Sequence, residues 1–273
     1  MVVRREREIR NFVKTPFYRV LGSFQATAKD GTPVLLDAEW KAVEGSKYFG
    51  TPYLYKENGF KEREKAEELI AYLKEEPPLE AKVLSKEKKK ETKNPPLLYN
   101  LAELQNDCSK MFKISPDETL KVVQELYEKK LVTYPRTDAR VLSTAVAKEI
   151  YKNINGLMRY EPMAGFAKEA MNLGSFKGIA KTRYVNDKQI TDHYAIIPTG
   201  QGMGNLRGLS PLSEKVYQVV CRRFLSIFYP AAIYQKYSLV LERKKEQFFA
   251  SFKVLSEPGY LKVADVNLAK KSS

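Results

Sequence analysis

Two kinds of hydropathy patterning divide this sequence, and their order along the chain constrains the fold more than any other feature. Apolar and polar residues alternate in FYRVLGSFQATAKDGTPVLLDAEW (residues 17–40), and again in IYQKYSLVLE and QFFASFKVLS, from Ile233 onward. A period of two marks half-buried strands. Between these stretches, apolar residues recur every three or four positions, as amphipathic helices require. Strands at both ends with helices between predict an α+β, multidomain chain. The expected division is a discontinuous β-rich domain over 1–95 and 205–273, with a mostly helical domain over 96–204 inserted into it. At 273 residues the chain is long enough for two cores.

Local signals fill in the elements. Residues 1–12 read as a helix end, stopped by Pro16. Lys29-Asp30-Gly31 reads as the turn of a hairpin. Lys61–Glu75 sets Ala66, Leu69, Ile70 and Leu73 on one helical face, and Pro77-Pro78 ends it. Leu79–Lys86 predicts a strand leading into a solvated lysine run, SKEKKKETK (85–93). Asn94-Pro95-Pro96 is a stiff joint. After it Leu97, Leu101, Leu104, Cys108 and Met111 recur at helical spacing. Ser115-Pro116-Asp117-Glu118 combines an N-cap serine, proline at the first helical position and glutamate at the third. The helix it opens turns Leu120, Val123, Leu126 and Tyr127 inward and ends near Lys129-Lys130. Ser143 caps a further helix, through about Ile154, and another begins near Leu212.

Charge narrows the function. Lys and Arg total 47 against 33 Asp and Glu, a net charge of +14. The lysine run holds five of these cations, so the excess persists without it. Such a surplus favours a polyanionic partner, and nucleic acid stands ahead of a membrane surface because no basic amphipathic helix with an aromatic face is present. No apolar run approaches the roughly 18 residues of a membrane span. MVVRREREIR carries charge too early for a secretory signal. The two cysteines, Cys108 and Cys221, each sit in an apolar helical pattern, as buried free thiols do in a reducing, cytoplasmic setting.

Against that background LVTYPRTDARVLS (131–143) stands out. A tyrosine, an arginine and an aspartate fall within five residues. Phenol titrates near 10, so a nucleophilic Tyr134 needs positive charge beside it. Arg136 supplies a permanent cation with a planar fork suited to phosphate. A positioned oxygen nucleophile and a cation on the non-bridging oxygens are what phosphoryl transfer requires. Against this stand the ordinary roles of a packing tyrosine, one of 17, and of an Arg136–Asp138 surface ion pair. The only histidine, His193, lies in ITDHYAIIPTG (190–200), at a polar tip entering an apolar run. With a carboxylate from Asp138 or Asp192 nearby, it would hold a proton near neutral pH and bind a phosphate or assist a leaving oxygen.

LVTYPRTDARVLS resembles the active-site segment of the type IA DNA topoisomerases, and TDHYAIIPTG resembles their histidine motif in its topoisomerase III-like form. VVRREREIRNF, NPPLLYNLAELQNDCSKMFKISPDETLKVVQELYEKK and SEKVYQVVCRRFLSIFYPAAIYQ resemble further family stretches in the same order, so nearly the whole chain is covered. The resemblance implies that Tyr134 attacks single-stranded DNA to form a 5′-phosphotyrosine, that Arg136 steadies the phosphate, and that Asp138 pairs with His193. Thr137, Ser143 and Thr199 match polar positions near DNA, and Lys188, just before the histidine motif, and Asp192, within it, are grouped with them. The family's magnesium is held by a DxDxE cluster in an N-terminal TOPRIM domain. The eight aspartates here form no DxD.

The resemblance therefore implies a central fragment: a β-rich arch domain with the tyrosine-bearing domain inserted. It would carry no metal ligands of its own, act as a monomer with single-stranded DNA and the rest of the parent chain as partners, and not cleave unaided. A hinge is expected where the chain crosses between domains, near Asn94–Pro96 and at Gln201–Arg207, where GQGMGNLRG supplies glycines. The competing reading is a non-catalytic single-stranded nucleic-acid binding module that uses TYPRTD as a phosphate grip. A recombinase would need a wider Arg and His set, and a relaxase a histidine cluster for metal.

Overall fold

The Lys29-Asp30-Gly31 turn closes a hairpin for the reasons its residues carry. Asp30 Oδ1 accepts a hydrogen bond from the Thr32 amide at 3.0 Å, and Gly31 takes the positive φ of 85° that the turn demands. The computed structural model describes residues 16–27 and 29–266, so the helix end expected over residues 1–12 lies outside the described residues. Strand β1 (Leu21–Thr27) pairs antiparallel with β2 (Pro33–Lys41), Leu21 opposite Glu39 and Thr27 opposite Pro33. A small second sheet follows, β3 (Leu54–Lys56) with β4 (Gly59–Phe60). Helix α1 (Arg63–Leu73), then β5 (Lys82–Lys93), β6 (Ala232–Arg243) and β7 (Glu246–Glu257) complete a five-stranded sheet in the order β1-β2-β7-β6-β5.

The chain divides into two compact units, Met1–Glu91 with Gln235–Val254, and Thr92–Tyr234 with Leu255–Ser273. The sheet unit is centred on Trp40, which stacks on Phe60 with ring centroids 4.8 Å apart, while Tyr48 meets Phe60 edge-on at 5.0 Å. A buried carboxylate is satisfied there: Glu246 accepts from Trp40 Nε1 at 2.8 Å and from the Lys47 amide at 3.1 Å. Helix α1 buries Ala66 and Leu69 against this core, but Ile70, expected on the same face, is 37% exposed. The buried stripe is narrower than the apolar stripe in the sequence.

Two expectations are corrected by the architecture. The lysine run is solvated, as expected, but it does not follow a strand; it is part of one, since β5 runs through Lys93 at the sheet's edge with the run's lysines exposed. Charged side chains suit an edge, where unpaired backbone would otherwise recruit another strand. The second domain boundary also differs from the one expected. Helix α7 (Pro211–Ser226) belongs to the helical unit, because its inward residues Val216, Tyr217, Val220, Cys221, Phe224 and Leu225 are part of that unit's core. Helical periodicity reports that a face is buried and not against which neighbour.

The helical unit contains α2 (Leu101–Phe112), α3 (Pro116–Glu128), α4 (Thr144–Lys148), α5 (Ile150–Leu157), α6 (Glu161–Leu173), α7 and the short α8 (Leu261–Ala264). Helix α7 packs against α3, α6 and α8. The capping signals act as the sequence predicts: Ser115 Oγ accepts the Glu118 amide at 3.1 Å and Ser143 Oγ the Val146 amide at 3.1 Å. The helix expected from Ser143 to Ile154 breaks at Glu149 into α4 and α5. Among the described residues no helix is long and apolar enough to cross a membrane.

Candidate active site

The segment carrying Tyr134 is fixed by the segment carrying His193. Leu131–Thr133 and Ile197–Thr199 run antiparallel: the Thr133 amide donates to the Ile197 carbonyl at 3.0 Å and the Thr199 amide to the Leu131 carbonyl at 3.0 Å. The Thr133 hydroxyl ties them again, donating to the Ala195 carbonyl at 2.9 Å and accepting from the Ile197 amide at 2.9 Å. On the far side of the histidine segment, the Ala195 amide bonds the Val141 carbonyl at 3.0 Å and the Ile196 amide the Tyr99 carbonyl at 2.8 Å. The backbone of the histidine motif is thus held from two sides, which satisfies a buried run that would otherwise leave polar groups orphaned.

A close backbone crossing locks the far end of this pairing. Gly200 has φ of 74°, and a Cβ on Gly156 of α5 would lie 2.1 Å from the Gly200 carbonyl oxygen. Only glycine tolerates such an approach. The glycines at 200 and 202, read from sequence as part of a flexible crossing between domains, are instead packed within the helical unit: a Cβ on Gly202 would lie 2.7 Å from the Lys129 carbonyl oxygen.

The result is a cleft of about 690 Å³ in which Tyr134 faces His193, their ring centroids 4.2 Å apart and tilted by 34°. Tyr127, at the end of α3, meets the Tyr134 ring edge-on at 5.4 Å. Tyr127 was expected inside the helix core; it is 39% exposed and lines the cleft, because Val123 and Leu126 already fill the inward face of α3. Helical spacing does not mark it; its place near the end of the helix that delivers Tyr134 is the signal that could have. The cleft also receives Lys130, Thr133, Tyr194, Thr199 and Gln201, so its lining holds a lysine and no carboxylate. Burial pushes the Tyr194 phenol up, which keeps it neutral and suited to donating a hydrogen bond.

The other sequence-derived residues divide into two groups. Arg136, Asp138, Lys188, Asp192 and His193 are exposed. Among the described residues, no ion pair or hydrogen bond engages the side chains of Arg136, Asp138 or His193, so neither the Arg136–Asp138 bridge nor an Asp138–His193 pair is formed here. Asp138 contributes only its carbonyl, which accepts from Asn100 Nδ2 at 3.2 Å. The second group spends its hydroxyls on architecture. Thr137 is 6% exposed and its Oγ1 accepts the Ala139 amide at 3.1 Å; Ser143 caps α4; and Thr199 Oγ1 donates to the Lys130 carbonyl at 2.6 Å. Asp187, unmarked in the sequence, binds the Thr144 amide at 2.8 Å and hydroxyl at 2.6 Å, and these bonds hold its carboxyl below the ordinary range. Among the described residues no group of three or more His, Cys, Asp or Glu side chains could hold a metal ion.

Comparison with known proteins agrees with the motif resemblance. A family profile described as DNA topoisomerase matches residues 1–273. A protein named DNA topoisomerase 3 from Bacillus subtilis (strain 168) is 40% identical over 174 residues, which is 63% of this chain and 23% of that protein. One of the same name from Bacillus thuringiensis (strain Al Hakam) is 31% identical over 268 residues, 96% of this chain and 32% of its own length. The fold is similar to the solved structure of full-length topoisomerase I from Thermotoga maritima, with a TM-score of 0.57 at 22% identity, covering 96% of this chain and 38% of that one. The chain thus spans about a third of the length of the relative it matches almost end to end.

Proposed function

The chain belongs to the DNA topoisomerase family, in its type IA branch, and on that premise we propose that the Tyr134 cleft is where single-stranded DNA is cut and resealed. The Tyr134 oxygen attacks the phosphorus of a phosphodiester. The bond to the 3′ oxygen breaks, the phenol proton is given up, and the 3′ oxygen leaves as a hydroxyl after taking up a proton. The 5′ phosphate stays on the tyrosine. Reversal, by attack of the 3′-hydroxyl on the phosphotyrosine, restores the strand, and strand passage occurs between the two steps. Because the link conserves the energy of the phosphodiester, ATP is not required.

Arg136 carries the fixed positive charge that meets the non-bridging oxygens. His193, against the tyrosine ring, offers an imidazole N–H to the same phosphate or to the leaving oxygen, and Asp138 pairs with it once DNA is bound. Magnesium does not fit the described residues, among which no cluster of His, Cys, Asp or Glu could hold it. It is assigned to the TOPRIM domain of the parent protein, which makes that domain the chain's partner. The chain alone, a monomer working in the cytoplasm, is accordingly expected not to cleave. The observation that carries the reading is the contact of Tyr134 with His193 at 4.2 Å in a carboxylate-free cleft.

The test joins this chain to the TOPRIM domain of a relative and traps complexes with labelled single-stranded DNA under denaturing conditions. Covalent capture is expected with magnesium, and none with Tyr134→Phe or with the chain alone. Capture that persists in Tyr134→Phe refutes the assignment. Binding without capture in the joined protein leaves the non-catalytic module as the reading.

A further inference from the structure

The outer part of the large sheet carries a second constellation, independent of the Tyr134 cleft. Two sets of contacts assign its faces. On one, Lys88 Nζ lies 5.9 Å over the Tyr237 ring, and Tyr237 stacks on Phe252 with centroids 5.2 Å apart and planes 19° from parallel. On the other, Glu91 pairs with Lys253 at 2.6 Å and Lys236 at 3.9 Å. Alternation along β5 then sets Lys86 and Lys90 on the face of Lys88, and Glu87 on the face of Glu91. The first face therefore receives Lys86, Lys88, Lys90 and Thr92 from the run and no acid, and none of the three lysines has an ion-pair partner among the described residues.

This is also the face that carries the unit's core further along the same strands, through Leu239, Leu241, Phe248 and Ala250. Beyond that core it is uncovered: Phe252 is 39% and Val254 47% exposed. Edge protection accounts for charge on β5. It does not account for segregating the acids to one face, nor for an open stacked ring pair on the other.

We infer that this face of β5, β6 and β7 is a binding surface for single-stranded nucleic acid, in which Lys86, Lys88 and Lys90 take backbone phosphates and the Phe252–Tyr237 pair takes a base. Stacking rings beside a row of free cations are complementary to a flexible polyanion with π faces. The inference goes beyond the cleavage reading and does not depend on it.

The experiment is fluorescence anisotropy of labelled oligothymidylate over a salt series, with a duplex for comparison, using the whole chain in the Tyr134→Phe form so that covalent capture plays no part. The Lys86→Gln/Lys88→Gln/Lys90→Gln variant is expected to flatten the slope of log affinity against log salt by about 2, at about 0.7 per phosphate contact. Phe252→Ala should weaken binding about fivefold or more while leaving the slope alone. Unchanged thermal melting shows that each variant is folded. If the triple variant does not fold, Lys88→Gln carries the charge test, with an expected slope change of about 0.7. Single-strand binding unaffected by these variants overturns the inference without touching the cleft. Self-association of the lysine variant at unchanged affinity also overturns it, in favour of edge protection. Equal loss on duplex and single strand with Phe252→Ala silent overturns the single-strand assignment.

Discussion

Around Tyr134, nearly every polar group is already spent. The Thr133, Thr137, Ser143 and Thr199 hydroxyls each bond backbone, and the histidine segment is paired on both sides. Among the described residues, Tyr134, Arg136, Asp138 and His193 keep side chains without a hydrogen bond or ion pair, as do Lys130, Tyr194 and Gln201 of the cleft lining. At the outer end of β5 to β7 the opposite holds, with apolar rings and lysines left exposed. The contrast separates two ways of meeting an anion. A reaction centre needs its nucleophile held within a fraction of an ångström by groups that have no other freedom. A sequence-tolerant grip needs only charge and flat surface, and works without a rigid frame.

The contrast can be broken most forcefully at Gly156. An added methyl there meets the Gly200 carbonyl and cannot be relieved by a side-chain move. Gly156→Ala should cost about 3 kcal/mol in denaturant unfolding and abolish capture in the joined protein. Next comes Thr133→Val, which removes the hydroxyl bridging Ala195 and Ile197. It should cost about 2 kcal/mol and lower the cleavage rate, while Thr133→Ser restores most of both. Tyr127→Ala should slow cleavage with a smaller stability loss of about 1 kcal/mol, and Tyr127→Phe should behave as the parent, because the edge-on ring contact needs no hydroxyl. Phe252→Ala in the open sheet should hardly move the melting temperature at all.

A pH-dependent prediction concerns the cysteines. Burial pushes the Cys108 thiol from its ordinary 9.0 up to about 11, and raises Cys221 as well. Folding thus favours the protonated thiol: the contribution is fully present below pH 9.0 and is lost as pH rises through about 11. At pH 8 both thiols should resist alkylation until denaturant is added, and rapid labelling of native protein would contradict their burial.

Much of this was legible in the sequence, for identifiable reasons. Ser115-Pro116-Asp117-Glu118 is a purely local signal and predicted the start of α3. The hairpin around Gly31 and the strands from Ile233 followed from alternation. Tyr134 and His193 were found by motif and do meet. Most of the missed features depend on partners distant in sequence. Helix α7 has an apolar face that matches either unit, and only packing assigns it. The crossing of Gly156 and Gly200 involves positions far apart in the chain, so glycines that read as flexible are the least free in the unit. Tyr127 reads as core because helical spacing gives a face and not its neighbour.

The most direct measurement is to locate the covalent adduct itself. The joined protein, quenched during cleavage of single-stranded DNA and digested, should yield one nucleotide-bearing peptide, with the 5′ phosphate on Tyr134. An adduct on any other of the 17 tyrosines, or none while DNA is being cut, would contradict the account.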